Sequence, residues 1–120
     1  MSHTSFVSDF SVIPLTITGI PAAGGACDFT PTPGVASINA VGVADPVITV
    51  TFTNNFGVFL GCVVSPIVKG GAANLLDTAV FESEDLVANK TLVVKMSASG
   101  GASAAGADDG CCLLLSAILL

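Results

Sequence analysis

Apolar and polar residues alternate with a period of two through most of this chain, the spacing of strands with one buried face and one wet face. Ile48, Val50 and Phe52 alternate with Thr49, Thr51 and Thr53, and Leu92, Val94 and Met96 alternate with Thr91, Val93 and Lys95. Ile13, Leu15 and Ile17 share one side of segment 12–18, where Pro14 removes a ladder donor and so predicts an edge strand. Val35 to Val43 predicts a further short strand, which Ala44-Asp45-Pro46 ends. After Phe52, the Asn54-Asn55-Phe56-Gly57 connection leads into a near-continuous apolar run up to Val64, and the two segments together read as a β-hairpin.

The stretches between these segments are punctuated. Residues 19–34 hold Gly19, Pro21, Gly24, Gly25, Pro31, Pro33 and Gly34, too many breakers for a helix, with Phe29 as the anchor to the core. Lys69 to Ala73 reads as a loop, Asn74 to Phe81 as either a helical turn or a strand, and Glu82-Ser83-Glu84-Asp85 as a solvated turn. Residues 97–110 are low-complexity and predict a loop.

The last ten residues are apolar in both registers: Cys111, Leu113, Leu115, Ala117 and Leu119 on one side, Cys112, Leu114, Ser116, Ile118 and Leu120 on the other. As a strand, this segment has to be covered by a second sheet on one face and by a neighbouring subunit or element on the other. A helical docking tail is the alternative, although ten residues are marginal for a lone helix and too few to span a bilayer. The pattern as a whole predicts an all-β fold. It is a single β-sandwich, jelly-roll-like, of about seven or eight short strands over residues 1–120, with a short N-terminal arm.

Val50-Thr51-Phe52, Phe56 and Val63-Val64-Ser65-Pro66 make up a V-T-F-x-x-x-F…V-V-x-P pattern. It resembles small β-sandwich modules of bacteriophage virions: capsid decoration or cement proteins, head fibres and fibre tips. The resemblance implies a virion structural protein that stabilises the head by bridging capsomers, with the major capsid protein as partner and a trimer as the homo-oligomer. The implied location is the virion, assembled in the host cytoplasm. The competing readings are a receptor-binding fibre tip and a subunit of an extracellular filament. A tip would want aromatic side chains for sugars, and the chain has no Trp or Tyr.

Composition sharpens this picture. Hydrophobic residues make up 52% of the 120 positions and charged residues only 10%, too little charge to cover a free monomer well, so part of the apolar surface is expected to be buried between chains. Candidate assembly residues are Phe6 and Phe10 near the start, and Leu113, Leu115, Ile118 and Leu120 in the last segment. The net charge of −6 leaves only Lys69, Lys90 and Lys95 to meet phosphates, which argues against nucleic-acid binding. No membrane partner is expected either.

Catalytic chemistry is not legible. His3 is the only histidine, so no Ser-His-Asp or Cys-His constellation assembles easily, and an enzyme is not expected. Cys27, Cys62, Cys111 and Cys112 form no C-x-x-C pair, and Cys111 and Cys112 would point to opposite faces of a strand, which excludes joint metal ligation. Asp108-Asp109-Gly110 falls short of a Ca²⁺ ligand set, and Gly70-Gly71 lacks the residues of a phosphate loop. No cofactor or metal is expected. Residues 1–6 carry no basic region, and Asp9 and Pro14 interrupt the apolar stretch that follows, so no secretory signal is expected and the thiols read as free, buried and structural.

Overall fold

The period-two segments pair into two antiparallel sheets stacked face to face. The computed structural model describes residues 9–30, 33–42, 44–67, 76–101 and 109–120. In chain order the elements are β1 (Asp9–Thr18), β2 (Gly25–Ala26), β3 (Asp28–Phe29), β4 (Val35–Val41), β5 (Val47–Phe52), β6 (Phe56–Ile67), β7 (Thr78–Asp85), a single helical turn α1 (Leu86–Asn89), β8 (Thr91–Ser97) and β9 (Gly110–Leu119). The four-stranded sheet runs β3-β1-β9-β6 and the five-stranded sheet β2-β4-β5-β8-β7. The β-sandwich is therefore the fold. Seven of its described strands are six residues or longer.

Alternation decides which side of each strand is buried. Ile13, Leu15 and Ile17 of β1 meet Ile48, Val50 and Phe52 of β5, Leu92, Val94 and Met96 of β8, and Cys111, Leu113, Leu115 and Ala117 of β9 in one core. Each large apolar side chain so buried contributes about 1.5 to 3 kcal/mol. The C-terminal segment is thus a strand at the centre of its sheet, paired on one side with β1 and on the other with β6. At its start, Gly110 passes so close to β1 that a Cβ there would fall onto the Ile17 carbonyl oxygen.

Pro14 sits where the chain tolerates a missing donor. The Thr30 N–H donates to the Thr16 carbonyl at 2.9 Å, so the even positions of β1 direct their backbone groups away from β9. Pro14 shares that parity, and its lack of an N–H costs the β1–β9 ladder nothing. Phe29 packs against the core, as the anchor of the breaker-rich segment.

The segments flanking Asn54 and Asn55 do not form the expected hairpin. β5 pairs with β4 and β8 in one sheet, and β6 pairs with β9 in the other. The connection is an arch that carries the chain across the sandwich. Both edges of β5 are already taken, which leaves β6 no place in that sheet. The arch also buries both of its aromatic ends: Phe52 and Phe56 are each 2% exposed and meet edge to face with ring centroids 5.3 Å apart.

Glu82-Ser83-Glu84-Asp85 is strand rather than solvated turn. It completes β7, an edge strand whose outward carboxylates stay in water, with a bulge between Phe81 and Ser83. The Glu84 carboxylate accepts the Leu86 N–H at 2.8 Å at the start of α1. Residues 78–81 of the ambiguous segment are strand as well. The arm with His3 and Phe6, the loop at 69–73 and most of the low-complexity stretch lie outside the described residues.

Candidate assembly face

The two outer faces of the sandwich differ in chemistry. On the five-stranded sheet, cross-strand partners run Asn39–Thr49–Val93–Ser83 and Ser37–Thr51–Thr91–Asp85, a hydroxyl- and amide-rich surface, with Lys95 in the row that ends in Val80. Val41 and Val80, exposed at the two ends of that row, are separated by Lys95.

On the four-stranded sheet, the outer positions of β1, β9 and β6 line up as Phe10–Ile118–Val58, Val12–Ser116–Gly61, Pro14–Leu114–Val63 and Thr16–Cys112–Ser65. None of these twelve side-chain positions is charged. Phe10 is 63% exposed, Val12 51%, Val58 49%, Leu114 49% and Val63 70%. A contiguous apolar surface of this kind marks an interaction site more often than a passive one.

The relief of the face alternates. Rows with bulky side chains, Phe10–Ile118–Val58 and Pro14–Leu114–Val63, flank a row that is raised at Val12 but low at Ser116 and Gly61, where a Cβ on Gly61 would meet nothing within 4 Å. The fourth row opens into a depression of about 210 Å³ lined by Pro14, Thr16, Val63, Ser65, Cys112 and Leu114. The Thr16 hydroxyl and the Cys112 thiol lie 3.8 Å apart there.

The six expected assembly residues separate. Phe10, Ile118 and Leu120 lie on or beside this face, with Leu120 82% exposed and its N–H donating to the Asn55 carbonyl at 2.9 Å. Leu113 and Leu115 are not interface residues: they are 2% and 0% exposed, because odd positions of β9 face the opposite sheet. Phe6 is outside the described residues. Sequence reasoning missed Val12, Val58, Val63 and Leu114. Gly57 and Leu60 are the extra residues of two bulges in β6, and they shift its parity so that Val58 and Val63 share one face.

Three buried or half-buried thiols, Cys27, Cys62 and Cys111, are held in their neutral form. Burial pushes Cys111 up to about 12, with the neighbouring cysteines adding to the effect. Burial raises Cys62 to about 11 and, with the charge of Asp28, Cys27 to about 11. All four cysteines are free, and Cys111 and Cys112 do point to opposite faces. Among the described residues, no group of three or more His, Cys, Asp or Glu side chains is placed to hold a metal ion. Asp109, 2% exposed, accepts the Leu76 N–H at 3.3 Å and so ties the start of β9 to the segment that leads into β7.

No helix among the described residues is long and apolar enough to cross a membrane. The chain matches no family model, no curated protein and no solved structure, so its function has to be argued from the chemistry of its own surface.

Proposed function

We propose that this protein is a structural subunit that works by burying the uncharged outer face of its four-stranded sheet against protein, in an assembly of the virion type. The observation that carries the reading is the contrast between the two outer faces: one mixes exposed Val41 and Val80 with Thr, Ser, Asn and Lys95, while the other presents Phe10, Val12, Val58, Val63 and Leu114 without a charge. Holding an exposed apolar face in water is costly, and contact with protein removes that cost at roughly 25 cal/mol per Å² before association losses. The neutral thiols of Cys27, Cys62 and Cys111 and the more polar second face fit a mechanical role. The resemblance of the Val50–Pro66 segment to phage sandwich modules supplies the setting, a decoration protein that bridges capsomers.

Fractionation tests this reading. Particles are purified from the native source by density gradient, and the copies of the chain they carry are counted by quantitative mass spectrometry. Many copies per particle, with a Leu114→Glu form left in the soluble fraction, support the proposal. Wild-type protein found wholly in the soluble fraction overturns it.

A further inference from the structure

We propose that the occupant of this face is a second copy of the chain, related to the first by a twofold axis that crosses the sheet between Ser116 and Leu114, at right angles to the strands. The inference rests on the reading that this is the assembly face.

Charge points to self-pairing. Two copies that each carry −6 repel wherever acidic surface meets acidic surface, and the face built by β1, β9 and β6 lets them meet without opposing like charges. A charge-free patch also gives a foreign partner nothing to steer by.

Relief then selects the symmetry. Over β9 and β6 the four rows alternate high and low, and a twofold across the strands reverses their order, so on these two strands each high row faces a low one. Leu114 and Val63 of one copy settle over Ser116 and Gly61 of the other, while Pro14 meets Val12. Phe10–Ile118–Val58 settles over the depression around Cys112. A twofold along the strands would instead stack high row on high row. A threefold ring, which the phage resemblance implies, joins two different surfaces of each copy and makes no use of this self-matching pattern.

Ten residues of strand and three strand spacings give a footprint of roughly 30 Å by 14 Å on each copy, about 840 Å² for the pair, which is below the standard size of a stable interface and in the range of weak, transient ones. A concentration-dependent pair is therefore expected.

Cross-linking tests the register. Stacked sheets lie about 10 Å apart, beyond the reach of a disulfide but within that of a short bis-maleimide. In the proposed pair, position 118 of one copy lies over Cys112 of the other, while the two Cys112 side chains are roughly 20 Å apart. The folded Ile118→Cys protein should give a covalent dimer whose peptide map joins positions 112 and 118, and wild type should give none. Adding Leu114→Glu should abolish the link.

A wild-type link between the two Cys112 residues, or ladders of higher polymers, would overturn the proposal. Sedimentation of the wild type as a monomer at every concentration would overturn it too. None of these results touches the particle fractionation, which judges the assembly role separately.

Discussion

Leu114 and Val63 face one another across the β9–β6 ladder on the outside of the sandwich, and Leu113 and Val64, one residue along each strand, face one another on the inside. A single step along either strand therefore moves a side chain from the core to the proposed contact surface. The same residue type has two different jobs.

That step has a measurable consequence. Leu115→Ala empties a site that is 0% exposed and should lower the unfolding free energy by about 2 to 5 kcal/mol. Leu114→Ala, at a half-exposed site, should change it by no more than about 0.5 kcal/mol in dilute solution. Urea unfolding followed by circular dichroism gives both values. Equal losses at the two positions would contradict the parity assigned to β9.

Much of the sandwich could be read in the sequence because burial leaves a local mark. The alternation of Ile48, Val50 and Phe52, and that of Leu92, Val94 and Met96, identifies the inward side of β5 and β8. Pairing leaves no such mark. The Asn54-Asn55 corner looks like a hairpin because both flanks read as strands, yet the partners of β5 come from residues 35–41 and 91–95. The proposed contact face is half legible for a related reason. Two-sided apolarity of the last ten residues pointed to a second covered surface, but each bulge in β6 inverts the parity beyond it, which hid Val58 and Val63.

The thiols set the behaviour at alkaline pH. The folded-state values of Cys27, Cys62 and Cys111, about 11, 11 and 12, lie above the ordinary thiol value of 9.0. A raised value means that the stabilisation is fully present below the unfolded thiol's pKa and is lost as pH rises through the folded one. Stability should therefore decline between about pH 9 and 12. The Cys111→Ala protein, though less stable at neutral pH, should show a shallower alkaline decline. Urea midpoints across that range check the slope, and an unchanged slope would rule out Cys111 as its source.

Asp77 acts at the acid end. Its carboxylate accepts the Ser99 N–H at 2.7 Å and the Ser99 hydroxyl at 2.6 Å, joining the approach to β7 to the turn after β8, and these bonds hold its pKa below the ordinary carboxylate value of 3.8. A lowered value means that the stabilisation is present above the unfolded pKa and is lost as pH falls through the lower folded one. Asp77→Asn should therefore lose less stability than wild type on acidification from neutral pH to below the ordinary carboxylate range. Thermal unfolding of both proteins at the two pH values measures the difference. Parallel losses would show that the Ser99 clamp does not report on folding.

Sedimentation velocity over a concentration series most directly tests whether the uncharged face of the four-stranded sheet is a protein contact surface. Wild type should shift from monomer to dimer as concentration rises. Leu114→Glu should remain monomeric throughout, with an unchanged circular dichroism spectrum. Identical sedimentation of the two proteins at every concentration would contradict the assignment of that face to contact between copies.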